Sequence, residues 1–343
     1  MGKFQAVIVL FSLILVVLGA ELVFRQNYPL FPALTVSSPI LRYRMRPMMN
    51  SRSRYPGEFD VRYVTDEKGW RSHGMGPQVL RTKRILGLGD SFVFGWGVEN
   101  QETYLYRLQE FGPRYDIMNA GVIGVGLSYS LRWFRQYGPS IRPHLTIVGI
   151  SENDVNDDLS WGWYGLESGK LKDLHHPSLY YETRERKLRD WLRALPLYTY
   201  FTDRSHFLTW LRLSATRRLS HGGGEKASIP RPEGKALAKQ VFSELIETIH
   251  HWGGDSLFVL IPTRQSLESS TRHSHLDWYR EWCLEKKVDC VDMKSFLAGS
   301  PESYYFKRDG HWTAEAHRVA AAAIGATLPK KLQVPLLLTG ISR

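Results

Sequence analysis

Residues 84–98 read "RILGLGDSFVFGWGV": an apolar stretch of strand character runs into Gly-Asp-Ser and then resumes as a second apolar segment rich in glycine and aromatic residues. A strand that only had to end could use any turn. Here a residue without a side chain, a carboxylate and a hydroxyl follow one another directly. That succession is expected if Ser91 stands at the mouth of a parallel sheet, where open α/β folds bind their ligands, with its backbone N–H free.

Working outward, the chain keeps the same rhythm. Apolar strands are expected at 84–89, 115–121, 144–151, 255–262 and 288–293, with helical stretches between them at 101–111, 127–137, 233–251, 275–286 and 313–327. In the helix at 233–251 the residues Leu237, Val241, Leu245 and Ile249 recur every fourth position and form one apolar stripe. Alternating strands and helices with almost continuous apolar strands imply an α/β fold: a parallel five-stranded sheet covered on both faces, three layers in all. Residues 58–72 alternate apolar and polar and break at Lys68-Gly69, as an edge hairpin would.

Three further blocks fall at successive strand ends. "NAGVIGVG" places Gly121, Gly124 and Gly126 where a backbone can approach a ligand closely. "SENDVND" offers the Asn153 amide, and "YFKRDGHWTAEAH" sets Asp309 two residues before His311, ahead of a helix. A serine hydroxyl is a weak nucleophile until a base takes its proton, and a histidine oriented by a carboxylate supplies that base near neutral pH. The oxyanion formed on acyl transfer needs fixed donors, and the Ser91 N–H, the Gly124 N–H and the Asn153 amide are suitable.

The ordered set Gly89-Asp90-Ser91, Gly124, Asn153 and Asp309/His311 resembles the SGNH hydrolase family, the GDSL-type lipases and esterases. The resemblance implies a flavodoxin-like domain with Ser91 as nucleophile, His311 as base, Asp309 as its partner, and Ser91, Gly124 and Asn153 as oxyanion donors. It covers roughly 83–327 apart from an insertion, and "VTDEKGWRS" ahead of it resembles the lead-in of membrane-anchored bacterial members. Two departures stand out. The third block usually reads Gly-x-Asn-Asp, and Ser151 takes the place of its glycine, with Gly149 the nearest counterpart. The last block usually reads Asp-x-x-His and is here Asp-x-His. The shorter spacing, followed by Trp, recurs in the polysaccharide acetyltransferase relatives of the alginate-modifying kind, which favours a carbohydrate ester.

Each residue also has a plainer use. Ser91 could cap the helix that follows it, Asn153 a loop, and Asp309 the helix at 313. Gly121 or Gly126 could replace Gly124 as donor. His317 is expected to be a surface or packed residue. Trp161, Trp163 and Tyr164 could stack on sugar rings or form an aromatic lid core. His175, His176, His250, His251, His273 and His275 show no ligand pattern with Cys or Glu, so no metal and no cofactor are expected.

The N-terminus is expected to be an uncleaved anchor, with a cleaved signal or a buried soluble helix as the alternatives. After Lys3, residues 4–20 form an apolar run long enough to cross a bilayer, and Leu18 makes cleavage after Ala20 unfavourable. The expected organisation is a transmembrane anchor at 1–25, a stalk and edge hairpin at 26–82, the hydrolase domain at 83–330 and a tail at 331–343, with an insertion at 155–232 read as a helical and aromatic lid or, alternatively, as a mobile elaboration without catalytic importance. The catalytic domain is expected to be periplasmic or extracellular, although Arg25, Arg42, Arg44 and Arg46 compete with Lys3 for the positive side. The formal net charge is +11, but the basic residues are spread along the chain and form no groove-reading helix, so nucleic acid is not an expected partner. Cys283 and Cys290 could form a disulfide or serve as two small core residues. The expected function is acyl-ester hydrolysis, with O-acylated carbohydrate as the substrate class. The alternatives are O-acyl transfer to an extracellular polysaccharide or cell-wall glycan, a lipid-active esterase, and a noncatalytic glycan-binding or assembly protein.

Overall fold

The computed structural model describes residues 3–27, 34–55, 57–71, 83–112, 115–174, 191, 195–202, 204–208, 210–211, 231–268 and 274–332. His175, His176, His273, most of the basic stretch at 185–193 and the tail from 333 lie outside the described residues. Strands β1 to β4 are Thr35–Ser38, Arg42–Met45, Asn50–Tyr55 and Phe59–Val64. Strands β5 to β7 are Lys83–Leu88, Tyr115–Asn119 and Leu145–Ser151. Tyr164–Glu167 and Lys170–Asp173 form β8 and β9, and Asp255–Ile261 and Asp289–Asp292 form β10 and β11. The helices used below are α1 (Lys3–Asn27), α2 (Ser91–Phe94), α3 (Leu127–Ile141), α4 (Asp154–Trp161), α5 (Pro196–Thr202), α6 (Arg231–His251), α7 (Arg264–Glu268), α8 (His275–Lys286) and α9 (Ala314–Gly325).

The central sheet has the order β11-β10-β7-β5-β6, and every pairing in it is parallel. All seven residues of β7 are buried, as a strand covered on both faces requires. Along β10 the side chains alternate between two cores. Phe258 and Leu260 join the core that includes Phe134, Val241, Phe242 and Leu245, whereas Leu257, Val259 and Ile261 join the one that includes Ala316, Ala320 and Ile324. The expected stripe Leu237, Val241, Leu245 and Ile249 is buried in the first of these. Cys283 and Cys290 are bonded and tie the end of α8 to β11.

The stretch expected as an irregular stalk is instead folded onto the domain. β1 and β2 form an antiparallel hairpin, as do β3 and β4, and Leu34, Leu41, Met45, Met49, Val61 and Tyr63 enter the core. Its arginines pack as well as solvate: the Arg42 guanidinium lies 4.1 Å from the Trp163 ring centroid and donates to the Trp161 carbonyl at 2.8 Å. The turn at Lys68-Gly69 follows the hairpin and brings Arg71 back to β6, where its N–H donates to the Asn119 carbonyl at 2.9 Å.

Arg71 then fastens the chain just beyond α2. Its side chain is buried and donates to Asn100 Oδ1 at 2.6 Å and to the carbonyls of Phe94, Gly95 and Val98 at 2.9, 2.5 and 2.5 Å. Burial lowers its pKa to about 10, which still leaves it charged at neutral pH. Only a planar fork reaches four acceptors on this surface. Replacing Arg71 by Ala orphans three buried carbonyls, and the expected loss on equilibrium unfolding is about 3 kcal/mol or more, with Arg71→Lys recovering only part of it.

Candidate active site

The turn between β5 and α2 is dictated sterically. Gly89 has φ +144°, and a Cβ there would lie 2.4 Å from Val93 Cγ2 and 2.8 Å from the Gly149 carbonyl. With the backbone reversed this tightly, Asp90 becomes the cap of α2: its Oδ1 accepts the Phe92 N–H at 2.9 Å. Ser91 is the first helical residue, and its hydroxyl is not used for capping. Ser91 Oγ lies 2.7 Å from His311 Nε2, and His311 Nδ1 lies 2.6 Å from Asp309 Oδ1. The second Asp309 oxygen accepts from Trp96 Nε1 at 3.1 Å.

These contacts set the electrostatics of the group. Burial pushes the Asp309 carboxyl up, but the hydrogen bond and charge of His311, together with Trp96, outweigh it and hold the carboxyl below its ordinary range. An ionised Asp309 accepts a hydrogen bond from Nδ1–H, which leaves Nε2 as the unprotonated nitrogen facing the Ser91 hydroxyl. The Phe92 and Trp96 rings pack beside the imidazole at 4.9 and 6.1 Å between centroids. Asp309 does not cap α9, because Thr313 does: its side chain accepts from the Ala316 N–H.

Gly124 lines the same cleft, which encloses about 560 Å³ and includes Ser91, Ile123, Asn153, Thr263, Arg264 and His311 in its wall. Its φ is +70°. The peptide unit between Ile123 and Gly124 is held from behind, since the Tyr43 hydroxyl donates to the Ile123 carbonyl at 2.7 Å. In a trans peptide the N–H points opposite to that carbonyl. The Gly124 carbonyl is also held, by Tyr43 at 2.9 Å and by Trp161 Nε1 at 2.9 Å. Gly121 and Gly126 serve packing instead: a Cβ would meet the Phe94 nitrogen at 2.4 Å in the first and Asp158 Oδ1 at 2.3 Å in the second.

Asn153 reaches the cleft wall, but one amide proton is already committed to Asp157 Oδ2 at 2.6 Å. It is therefore a donor with one amide proton engaged. Ser151, which replaces the usual block glycine, has a structural use. Its Oγ lies 2.7 Å from Asp90 Oδ2, 2.7 Å from Asp154 Oδ1 and 2.9 Å from Asn153 Oδ1. Gly149 fills a different need, packing under α2 against Val93.

Trp163 and Tyr164 are buried and form an aromatic core, whereas Trp161 supports the Gly124 loop. His317 is fully buried, stacks on Tyr104, and burial lowers its pKa to about 3. Among the described residues, no group of three or more His, Cys, Asp or Glu side chains could hold a metal ion. Sequence reasoning missed Tyr43, Trp96 and the cleft residues Thr263 and Arg264. The last two carried a usable signal, since "PTRQ" directly follows β10 at the carboxyl end of the sheet.

Residues 236–339 match the family model of the SGNH hydrolase-like domain of the acetyltransferase AlgX, a span that contains Asp309 and His311. No curated protein matches the chain significantly. Among solved structures, a member of the lipolytic G-D-S-L family from Veillonella parvula aligns with 10% identity and TM-score 0.43, over 75% of this chain and 100% of that one. A psychrotrophic esterase from a Pseudoalteromonas species aligns with 11% identity and TM-score 0.42, over 74% of this chain and 100% of that one. A two-domain esterase active on acetylated mannans aligns with 12% identity and TM-score 0.41, over 73% of this chain and 50% of that one.

Two outcomes follow from this geometry. Tyr43→Phe removes the hydroxyl behind the Gly124 peptide and is expected to lower kcat for a small ester about tenfold with KM little changed, the equivalent of one hydrogen bond. Asp158 is pushed up to about 7, chiefly by burial. Its ordinary carboxyl value is 3.8, so its contribution to stability is full below about pH 4 and is lost as pH rises towards 7. Thermal melts from pH 4 to 7 are expected to fall less steeply in Asp158→Asn than in the wild type.

Proposed function

We propose that this chain is a member of the SGNH hydrolase family and a serine-dependent acyl-ester enzyme working through an acyl-enzyme intermediate, with O-acylated carbohydrate as its substrate class. The observation that carries the reading is the unbroken relay from Ser91 Oγ through His311 to Asp309, with contacts of 2.7 and 2.6 Å. In the first half-reaction His311 Nε2 takes the Ser91 proton as Oγ attacks the ester carbonyl. The Ser91 and Gly124 N–H groups and the remaining Asn153 amide proton receive the negative charge on the carbonyl oxygen. The tetrahedral intermediate collapses, His311 returns the proton to the departing sugar hydroxyl, and the acyl group stays on Ser91. In the second half-reaction His311 takes a proton from water as it attacks the acyl carbonyl, then returns that proton to Ser91 Oγ as the acyl–oxygen bond breaks and the acid leaves.

A second reading replaces that water with a sugar hydroxyl and makes the protein an O-acyltransferase acting on an extracellular polysaccharide or cell-wall glycan. The match of residues 236–339 to the acetyltransferase domain model favours it. Both reactions share the first half, and the acceptor alone separates them. α1 supports placement at a membrane: the candidate span Val7–Gln26 has a mean hydropathy of 2.9. The bonded Cys283 and Cys290 fit a catalytic domain outside the cytoplasm.

The test is turnover of a chromogenic acetyl ester by the purified full chain. Ser91→Ala and His311→Ala are each expected to lower kcat by about 10⁴-fold or more, and Asp309→Asn by about 10⁴-fold, through the wrong imidazole tautomer. Activity equal to wild type in Ser91→Ala contradicts the proposal, and a folded wild type without turnover favours a noncatalytic role. Added polysaccharide that diverts the acyl group from water selects the transferase reading, and product ratios indifferent to the acceptor select hydrolysis.

A further inference from the structure

The described part of the insertion carries several exposed large apolar side chains. Trp191 is 59% exposed, Leu197, Tyr200 and Phe201 on α5 are 73%, 53% and 55% exposed, and Trp210 and Leu211 are 39% and 48% exposed. A patch of this kind on a protein surface marks a contact with another phase or molecule.

Its position relative to α1 identifies the contact. Glu21, on the last part of α1, accepts from Ser205 Oγ at 2.7 Å and from the N–H groups of His206 and Phe207 at 3.1 Å each. It therefore caps the short helical stretch after Ser205 from a distant part of the chain. Arg25 pairs with Glu21 at 3.1 Å and donates to the Arg204 carbonyl at 3.1 Å. The Phe24 ring lies 5.5 Å from Phe207 and 4.9 Å from Trp210. The end of the apolar helix and the insertion are thus joined by charge-assisted hydrogen bonds and by ring contacts.

Glu21 is the first charged residue after Lys3. In a bilayer crossed by α1, one interface falls at Glu21–Arg25, the level of the joint. Tyr and Trp belong at that depth, where an apolar ring and a polar edge are both satisfied. Charge agrees: residues 184–218 hold nine Lys and Arg against three Asp and Glu, which suits anionic headgroups.

We propose that Trp191, Leu197, Tyr200, Phe201, Trp210 and Leu211 form a second membrane contact, an interfacial face that lies on an anionic bilayer beside α1 and orients the catalytic domain against it. This is independent of the acyl-ester reading. It rests on α1 being retained in the bilayer.

Tryptophan reports the contact directly, because α1 contains none of the 11 tryptophans of the chain. The full chain is reconstituted into vesicles of phosphatidylcholine and phosphatidylglycerol, with and without bromine on the acyl chains, and tryptophan emission is compared. The expected result is quenching by brominated lipid in the wild type and loss of most of it in Trp191→Phe/Trp210→Phe. Far-UV circular dichroism and turnover of a small soluble ester are expected to stay unchanged. No quenching in the wild type, or equal quenching in the double variant, overturns the proposal. Retention of α1 is read separately from resistance to carbonate extraction, so a chain that stays in the membrane without quenching counts against the face alone. A detergent-stable dimer broken by Leu197→Glu/Phe201→Glu, with quenching unchanged, assigns the face to a second copy and also overturns it.

Discussion

The position of Ser91 depends on a carboxylate that has almost no contact with solvent. Asp90 is 1% exposed, and its two oxygens have separate partners: Oδ1 caps α2, while Oδ2 meets the Ser151 hydroxyl at the end of β7. It thereby joins the carboxyl ends of two neighbouring parallel strands immediately before Ser91. Ser151 has a single proton but touches both Asp90 and Asp154, so one of the two carboxyls must be protonated for both contacts to be hydrogen bonds. Burial raises the pKa of both, and their mutual repulsion raises Asp154 further. A glycine at 151 could not mediate this. The departure from the usual third block is therefore matched by a compensating hydroxyl.

Around that junction the site is built from segments far apart in the chain. Tyr43, from the β1–β2 hairpin, fixes the peptide before Gly124, and Arg71 fixes the carbonyls after α2. Trp96, two residues beyond α2, reaches Asp309. Trp96, one of the aromatic residues that follow Gly-Asp-Ser, thus holds the carboxylate that orients His311, and the shortened Asp-x-His spacing is compatible with a close relay. Both Asp309 oxygens are engaged, one by the imidazole and one by the indole.

What the sequence made legible was local. The five strands of the central sheet were readable because each is a short apolar run bounded by polar residues, and Ser91, His311, Asp309 and Gly124 because each sits at a strand end or helix start with a characteristic neighbour. Of the hairpins at 35–64 only β4 was readable, from the alternation that begins at residue 58, although its partner β3 precedes it and the turn lies before Phe59 and not at Lys68-Gly69. β3 is "NSRSRY", with only Ser53 buried, and β2 is "RYRM", whose arginines look solvated until Trp161 and Trp163 lie beside Arg42. Tyr43 could not be found for the same reason, since its role arises from a contact across 80 residues of sequence. Asn153 was placed correctly at the cleft, but its bond to Asp157 comes from the pitch of α4, which the block motif alone does not express.

The central claim is that the Ser91 hydroxyl is activated by His311, and a serine-reactive fluorophosphonate tests it most directly. The full chain in detergent is treated with the probe, digested, and the modified residue is located by mass spectrometry. The account predicts a stoichiometric adduct on Ser91 that does not form in His311→Ala. A folded protein that leaves Ser91 unmodified, or one that labels Ser91 equally without His311, would contradict it.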